Sequence, residues 1–466
     1  MPARAAVDHV LELRRRHPRL VYDSYSYTVS DSYLDIRFQL LLEPNIEFTP
    51  QISVPLPPDL EQLSQATIDL FAFHLGLMET ISYWKAACPP QVVIAAGNLT
   101  GAQLSWWRDL YLHGLSQFFF ENGVDFSAPE FLSFSASGPD HGPVSSPARP
   151  HGDLLLLGGG KDSAVALELL EQSSPGLATM VLNPIRPAIE SAAIAGLGGP
   201  LVARRTIDPL LLELNRQDYL NGHTPFSAYL AFLGVFVAAL HGLRQAIVAN
   251  ERGAGEESLI YRGLPINHQY SKSVHFERRF REYCARHLTP DVSYFSYLRP
   301  LYDLQVAALF AKFPQHHLSF RSCNVGQKTD SWCGNCPKCA YVYLSLFPFL
   351  GEEDLSRIFG ADLFTHPEIQ HHIKALVGLE GHKPFECVGT VEESVVAVEL
   401  GIARCLAGGT ICPPFLTALA EALGIDDAAV NGARSWLARN WESEHFLPET
   451  YSGELRALVT RYMSQQ

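Results

Sequence analysis

The sequence predicts an α/β protein in which a doubly wound parallel sheet is flanked by an N-terminal α+β domain and a C-terminal helical domain. Three observations predict this fold: alternating apolar residues near the N-terminus, short apolar runs separated by helical segments in the middle, and helical periodicity at the end. At about 150 residues per domain, 466 residues suggest about three domains. The expected segments are an N-terminal domain 1–132, a linker 133–152, a central domain 153–345 and a helical domain 346–466.

Composition restricts the class of protein. Hydrophobic residues make up 47% of the chain and charged residues 18%, which is typical of a globular protein. A net charge of −14 works against unspecific binding to nucleic acid, so we expect no nucleic-acid partner. The apolar run Ala228–Leu240 is shorter than the roughly 20 residues that cross a bilayer, and the N-terminus lacks the apolar region of a secretory signal. We therefore expect a cytoplasmic protein without a membrane segment.

The N-terminal region alternates with a period of two. Residues 34, 36, 38 and 40 are apolar and their neighbours are polar, which predicts half-buried antiparallel strands within residues 20–55. Helical spacing follows between Ile68 and Met78, and a second, aromatic-rich helix is predicted over Gln103–Phe120. A stretch rich in proline, glycine and serine then predicts the linker.

The central region alternates short strands with helical segments, which is the pattern of βαβ units in a parallel sheet. The predicted strands are Leu154–Leu157, Ala178–Leu182, Leu201–Thr206 and Ala246–Ala249. Helical segments follow to the end of the chain near residues 354–376, 390–406, 414–424, 428–440 and 452–463.

A glycine-rich turn connects the first central strand to a helix. Three consecutive glycines allow backbone N–H groups to turn toward one anion, and the helix adds its positive N-terminus. This is the pattern of a phosphate-binding loop, although a tight turn without a ligand remains the alternative. It is not a Walker A sequence, because Asp162 follows Lys161 where that motif has serine or threonine. The loop comprises Gly158, Gly159, Gly160, Lys161, Asp162 and Ser163.

The loop resembles the SGGKDS motif of the PP-loop ATP pyrophosphatase superfamily, whose members have a HUP-like fold and cleave ATP between its α and β phosphates. The resemblance implies that the loop binds ATP, that Lys161 and Mg²⁺ neutralise the departing diphosphate, and that Asp162 assists the magnesium. Arg299, in an Arg-Pro-Leu element, would lie near the nucleotide. Gly158 replaces the usual first serine, so one hydroxyl contact is missing.

Four cysteines lie within seventeen residues, in the spacing C-x9-C-x2-C-x2-C. Closely spaced thiolates of this kind form tetrahedral zinc sites, and a structural zinc is the expected occupant. An iron–sulfur cluster and four unliganded thiols remain the alternatives. The block resembles the zinc knot of 7-cyano-7-deazaguanine synthases, which are PP-loop enzymes. The predicted ligands are Cys323, Cys333, Cys336 and Cys339.

Polar stretches lie between the loop and the cysteines. Asn250, Glu251 and Arg252 follow a predicted parallel strand, and the carboxyl ends of such strands gather ligand-binding groups. We expect these three residues to bind the nucleotide. A later stretch supplies further candidate catalytic residues, alongside Lys161 and Asp162. Solvated loops are the alternative for each stretch. The later candidates are His268, Tyr270 and Lys272.

Longer matches make the resemblance narrower. NPIRPAIE, LNGHTPFSAYLAFLGV, NERGAGEES and NHQYSKS, together with GGGKDSAVALELL, resemble the MurL family of UDP-N-acetylmuramoyl-L-alanyl-L-glutamate epimerases. The resemblance implies ATP-dependent inversion of the terminal L-glutamate of a UDP-linked muramoyl dipeptide through a carboxyl adenylate, releasing AMP and diphosphate for peptidoglycan biosynthesis. It also implies a functional partner, a Mur ligase that adds L-glutamate.

Other functions fit parts of the same pattern. The cysteines also suit a PP-loop enzyme that modifies a nucleobase or tRNA, but the sequence has no basic RNA-binding module. An adenylate-forming amide ligase would use the same loop, because an amine can intercept an acyl adenylate. The altered first loop position also suits a regulatory protein that binds ATP without turnover.

Overall fold

A computed structural model describes residues 4–59, 64–145 and 152–463. These residues form two compact units that interleave along the chain. Part of the predicted linker, 146–151, lies outside the described residues. Unit 1 comprises residues 1–154, 201–246 and 259–294, and unit 2 comprises residues 155–200, 247–258 and 295–466.

Strands and helices are numbered here in chain order within the described residues. The strands are β1 (Arg19–Val29), β2 (Tyr33–Leu42), β3 (Ile46–Phe48), β4 (Gln51–Pro55), β5 (Gln91–Ile94), β6 (Ser133–Ala136), β7 (Asp153–Leu156), β8 (Ala178–Leu182), β9 (Leu201–Thr206), β10 (Gln245–Val248), β11 (Leu259–Tyr261), β12 (Leu264–Ile266) and β13 (Ser293–Ser296). The helices are α1 (Arg4–Arg16), α2 (Gln65–Trp84), α3 (Gly101–Gly114), α4 (Ser116–Asn122), α5 (Lys161–Ser173), α6 (Arg186–Ile194), α7 (Pro209–Arg216), α8 (Phe226–Leu240), α9 (Val274–His287), α10 (Asp303–Phe310), α11 (Pro337–Leu346), α12 (Glu352–Phe359), α13 (Pro367–Leu376), α14 (Val391–Gly408), α15 (Pro414–Leu423), α16 (Asp427–Arg439) and α17 (Glu449–Met463).

Unit 1 is built on strands in the order β9-β4-β2-β1-β5-β6. The predicted antiparallel strands are confirmed, because β2 pairs antiparallel with both β1 and β4. Along β2, Leu34, Ile36, Phe38 and Leu40 are all buried, as the alternation predicts. The predicted linker segment begins with β6, which pairs parallel with β5.

Buried helices cover this sheet. In α2 the residues from Leu70 to Trp84 are all buried, and Phe71 stacks on Phe236 of α8 with ring centroids 4.8 Å apart. The predicted aromatic helix is two helices, α3 and α4, which meet at Leu115. Lys85, which follows the last residue of α2, is also buried.

Strand β9 pairs antiparallel with β4 in unit 1. Its sequence LVARRT carries two arginines, which a strand that is apolar on both faces would not accommodate. Arg205 makes a bidentate ion pair with the buried Glu79, with both N···O distances 2.6 Å.

Unit 2 contains β8 and the carboxyl ends of β7, β10 and β13, in the order β13-β10-β7-β8. Helices α5 and α6 each follow a strand of this set, and the predicted α/β class is confirmed. The helical segment predicted near 354–376 is two helices. Gly360 ends α12 in the left-handed conformation at φ 79°, and Pro367 begins α13.

Two further features bear on the predictions. Within the residues that the structure describes, no helix is both long and apolar enough to cross a membrane. Cys405 and Cys412, which the sequence gives no reason to pair, form a disulfide. The predicted cytoplasmic location and the division of the chain at residues 132, 152 and 345 stay predictions.

Candidate phosphate-loop site

The glycine-rich loop of unit 2 connects β7 to α5. Leu157 N donates a hydrogen bond to Met180 O of β8 at 2.9 Å, which fixes the start of the loop. Gly159 has a φ of 75°, and a Cβ there would lie 2.9 Å from Ala188 N. Only glycine suits this position, for both conformational and steric reasons. The loop then enters α5, whose first residue is Lys161.

A neighbouring segment holds the loop in place. Arg321 N donates to Gly159 O at 2.9 Å, and a Cβ on Gly160 would lie 3.0 Å from Ser322 Oγ. Ser163 Oγ donates to Gly160 O at 3.0 Å. A Cβ on Gly158, by contrast, would meet no atom within 4 Å. The loop is therefore tightly packed at its second and third glycines and open at its first.

Lys161 is buried between two carboxylates. Its side chain is 4% exposed, and Nζ lies 2.5 Å from Asp162 Oδ1 and 2.6 Å from Asp303 Oδ1. Burial alone would lower the pKa of Lys161, but the two carboxylates outweigh it and raise the pKa above its usual value. Lys161 is therefore a permanent positive charge at the N-terminus of α5.

Further carboxylates crowd around this lysine. Glu251, Asp303 and Glu393 are 6%, 6% and 0% exposed. Burial raises the pKa of Glu251 well above its usual value, and the charges of Asp303 and Glu393 raise it further. Burial, together with the charge of Asp303, raises the pKa of Glu393 to about 7. The site thus holds four carboxylates against two cations, Lys161 and Arg299, which is an environment that favours a bound cation.

Glu393 is fixed by the starts of two helices. Its Oε2 accepts from Thr390 N at 2.8 Å within the capping box of α14, and its Oε1 accepts from Leu304 N of α10 at 2.9 Å. Sequence reasoning missed Glu393 and Asp303. The Thr-x-x-Glu pattern of residues 390–393 signals a helix start, and nothing in it signals a site.

The polar residues after β10 have clear structural partners. Asn250 Nδ2 donates to Ser296 Oγ at 3.2 Å. The Arg252 guanidinium lies 4.3 Å from the centre of the Tyr302 ring, and its Nε lies 3.2 Å from Glu442 Oε2. These contacts belong to the same unit as the loop, and the charge of the loop residue Asp162 acts on Glu251, which lies between Asn250 and Arg252.

Arg299 is almost wholly buried, at 2% exposure. Its Nη1 donates to the main-chain oxygen of Glu251, and its Nη2 donates to Ser296 Oγ at 3.3 Å. It therefore positions the segment that carries Glu251. Its predicted contact with the nucleotide stays a prediction.

The four predicted metal ligands converge. Their sulfur atoms all lie within 4.8 Å of one another, with Cys323 to Cys336 at 3.8 Å and Cys333 to Cys339 at 3.7 Å. Sulfurs bound tetrahedrally to one ion at about 2.3 Å lie about 3.8 Å apart. The arrangement therefore fits one metal ion, whereas a cubane cluster would place its cysteines on different irons, further apart.

The remaining predicted catalytic residues lie in unit 1. Tyr270 donates to Asp109 Oδ2 at 2.9 Å, and burial together with the Asp109 charge raises the pKa of Tyr270. His268 Nδ1 is hydrogen-bonded to Gln117 Oε1. Lys272 ends the short 3-10 helix that begins at Tyr270. Unit 1 places these three residues in one stretch, and their catalytic roles stay predictions.

Comparison with known proteins identifies the family. The MurL N-terminal domain family matches residues 12–297, and the MurL C-terminal domain family matches residues 319–405. No solved structure matches the chain.

Curated relatives cover most of the sequence. A protein of Salinispora tropica is 36% identical over 402 residues, covering 84% of this chain and 86% of the relative. A protein of Micromonospora sp. is 37% identical, covering 76% and 79%, and one of Xanthomonas oryzae pv. oryzae is 35% identical, covering 77% and 80%. Each is named UDP-N-acetyl-alpha-D-muramoyl-L-alanyl-L-glutamate epimerase. The chain belongs to the MurL family.

Proposed function

We propose that this protein is an ATP-dependent epimerase that inverts the terminal L-glutamate of UDP-N-acetylmuramoyl-L-alanyl-L-glutamate to D-glutamate. The observation that carries the proposal is the glycine-rich loop with Lys161 buried between Asp162 and Asp303, in a chain whose relatives bear that name. The reaction consumes ATP and releases AMP and diphosphate. A ligase that adds L-glutamate to the muramoyl precursor supplies the substrate.

The loop supports cleavage of ATP at its α phosphate. A carboxylate oxygen of the substrate attacks that phosphorus, the bond to the β-phosphate oxygen breaks, and diphosphate leaves. The backbone of Gly158–Gly160, the start of α5 and Ser163 hold the diphosphate, and Lys161 neutralises its growing charge. Positioning and charge compensation are the protein's contribution to this step.

Magnesium fits the carboxylate surplus. Carboxylate oxygens are the ligands that Mg²⁺ prefers, and Asp162, Asp303 and Glu251 would hold it. The raised pKa values of Asp303 and Glu251 support this assignment, because burial and the neighbouring carboxylates disfavour their charged forms until a cation neutralises them. When bound, the ion supplies a second positive charge for the phosphates.

Adenylation makes inversion chemically accessible. A proton beside a free carboxylate is very weakly acidic, because its removal adds a second negative charge to the same group. An acyl adenylate is neutral at the carbonyl, so a base removes the α-proton and an acid returns one to the opposite face. Water then attacks the acyl carbon and AMP leaves. The candidates for these proton transfers are His268, Tyr270 and Lys272.

A test of the function uses the purified protein with ATP, Mg²⁺ and the UDP-linked L-alanyl-L-glutamate dipeptide. We expect AMP and diphosphate in equal amounts, together with D-glutamate in the acid hydrolysate. Deuterium from the solvent should enter at the α-carbon. Formation of ADP, or retention of the L-configuration by protein that still binds ATP, would exclude the proposal.

We propose zinc as the occupant of the cysteine site, with a structural role. Cys323 lies two residues after Arg321, whose N–H binds the phosphate loop, so the metal would hold the loop through this segment. Metal analysis should find one zinc per chain. Cys333→Ser should lower both the metal content and the unfolding temperature, the latter by on the order of 10 °C. Cys387→Ser, outside the cluster, is the matched control. Iron with bound sulfide in the purified protein would contradict the assignment.

A further inference from the structure

A second group of charged and polar side chains lies within unit 1, and it is basic. Lys85 and Gln117 in this group are buried, and His223, His268 and Lys272 are partly buried. Four segments of unit 1 contribute to it: the end of α2 with Lys85, α4 with Gln117, the loop before α8 with His223, and the stretch that carries His268 and Lys272. The rings of His223 and His268 lie with their centroids 4.5 Å apart. Gln117 Oε1 holds His268 through Nδ1. We call these residues the basic cluster.

The loop that carries His223 is fixed from both sides. Leu220 N donates to Ala86 O at 3.0 Å, and Asn122 Nδ2 donates to Asn221 O at 3.0 Å. A Cβ on Gly222 would lie 3.1 Å from Phe118 Cδ2, so the loop packs directly on α4. The histidine is therefore held in position rather than exposed on a free loop.

The nitrogen atoms of Lys85, His223 and His268 outnumber the hydrogen-bond partners that the described residues offer them. Lys85 is only 7% exposed, and within the described part of the chain its ammonium has one hydrogen-bond acceptor, Gly222 O. An ammonium group has three donors. Among the described residues, none hydrogen-bonds to the ring nitrogens of His223, and His268 uses only Nδ1.

Its charges are also unbalanced. Burial lowers the pKa of Lys85 to about 8, and among the carboxylates of the described chain Glu121 is the one whose charge opposes this shift. Burial, followed by the charges of His268, Lys85 and Lys272, lowers the pKa of His223 to about 3. Glu121 is already engaged, since its Oε1 accepts from Gln117 Nε2 at 2.7 Å. A bound anion would relieve both the donor surplus and the repulsion.

We propose that the basic cluster of unit 1 is a binding site for a diphosphate, with Lys85 and His223 as ligand-binding residues. The donors come from separate segments, and a diphosphate offers more acceptor oxygens over a wider span than the two oxygens of a carboxylate. The probe closest to the proposed substrate is UDP. In this respect the inference rests on the proposed function, because it assigns the diphosphate of the nucleotide-linked precursor to this cluster.

The experiment is isothermal titration of the full-length protein with UDP, inorganic diphosphate and free L-alanyl-L-glutamate. The variants are Lys85→Met and His223→Asn, which differ in the segment they alter, so that a folding defect in one leaves the other informative. Arg19→Gln removes an exposed cation, 50% accessible in its side chain, from the same unit and is the control. Lys161→Met is included because UDP could also bind to the phosphate loop.

We expect the unaltered protein and Lys161→Met to bind UDP with the same affinity. Lys85→Met and His223→Asn should each lower the affinity for UDP at least about tenfold. Arg19→Gln should leave this affinity unchanged. UDP affinity unchanged in both cluster variants, or lost in Lys161→Met alone, would overturn the proposal. Loss of dipeptide binding with UDP binding intact would assign the cluster to a carboxylate instead and overturn it as well.

The epimerase assay separates this inference from the proposed function. If the protein inverts glutamate and the cluster variants keep the KM for the UDP-linked substrate, the cluster assignment fails and the function stands. If UDP binds through the cluster but no AMP or D-glutamate forms, the function fails and the binding site stands.

Discussion

Two of the buried lysines have surroundings with opposite effects on the pKa of the ammonium group. Lys161 in unit 2 lies within 2.6 Å of two carboxylates, and its pKa is raised. Lys85 in unit 1 has a main-chain carbonyl as its acceptor, and burial lowers its pKa to about 8. Both side chains are less than a tenth exposed, so burial alone does not distinguish them.

The difference lies in the balance of charge around each ammonium group. Around Lys161 the carboxylates exceed the cations, which suits a magnesium ion accompanied by phosphates. Around Lys85 the donors exceed the acceptors, which suits an anion alone. A buried lysine therefore indicates the kind of ligand only when the surrounding acceptors are counted.

The largest expected effect is that of Lys161→Met. It leaves Asp303 buried beside Asp162 without their shared cation, so we expect unfolding to become easier by about 3 kcal/mol or more. AMP formation should fall by at least about 100-fold, because the diphosphate loses its neutralising charge. Chemical denaturation and an AMP assay measure the two effects. Lys374→Met, which breaks an exposed ion pair with Glu380, is the control. Full turnover in Lys161→Met would refute the role given to the loop.

The next effect concerns the surplus of carboxylates. The pKa of Glu393 is raised from 4.5 to about 7, so the folded protein binds this proton more tightly than the unfolded chain does. Stability should therefore decrease as pH rises from about 4.5 to 7, by about 3 kcal/mol for this group. Glu393→Gln should flatten that part of the stability profile, measured by denaturation across the range. The neighbouring exposed Glu392→Gln should keep the slope; a slope unaltered by Glu393→Gln would disprove the assignment.

For Lys85 we expect a smaller change of stability with pH, and in the opposite direction to that of Glu393. Its folded-state pKa of about 8 is below its usual 10.5, so stability should rise as pH increases between these values. Lys85→Met should abolish that rise and stabilise the ligand-free protein at pH 7 by about 1 kcal/mol, because no charge is then buried. Thermal unfolding at pH 7 and at pH 9.5 gives the comparison. If Lys85→Met is less stable than the unaltered protein at pH 7, the buried charge of Lys85 does not destabilise the fold, and the contrast with Lys161 fails.

The smallest effect is expected at the first loop glycine. Gly158→Ser finds no atom within 4 Å of its new Cβ and restores a hydroxyl near the phosphates. ATP should bind about threefold more tightly, as measured by titration calorimetry. Gly159→Ser is the matched control, since its φ of 75° and the 2.9 Å approach to Ala188 N should abolish binding. Equal affinities for the two variants would mean that the loop geometry does not govern ATP binding.

Local patterns predicted the strands and helices well where a single period dominates. In β2 the apolar residues alternate with polar ones, and in α14 they recur at helical spacing. Each pattern reflects which face of the element is buried, so it can be read from the local sequence. The pairing of β9 with β4 was not predicted, because β4 is about 150 residues away in the sequence, beyond the reach of a local pattern. The disulfide between Cys405 and Cys412 was missed because spacing does not show whether two thiols meet.

The residues of the candidate site also divide into those that a local sequence pattern indicates and those that it does not. The glycine loop and the four cysteines each lie within a short segment, so their spacing indicated them. Asp303, Glu251 and Glu393 come from three distant segments, and only the folded chain shows that their charges act on one another. His223 and Lys85 have no motif, and their significance rests on the acceptors that surround them.

Glu393 has a consequence for how the chain can be divided. Because its carboxylate joins the first turns of α10 and α14, a protein shortened after residue 345 would lose an acceptor that fixes the helix bearing Asp303. The terminal helices are thus a structural component of the candidate phosphate-loop site, and mutations in them should change the affinity for the proposed nucleotide without contacting it.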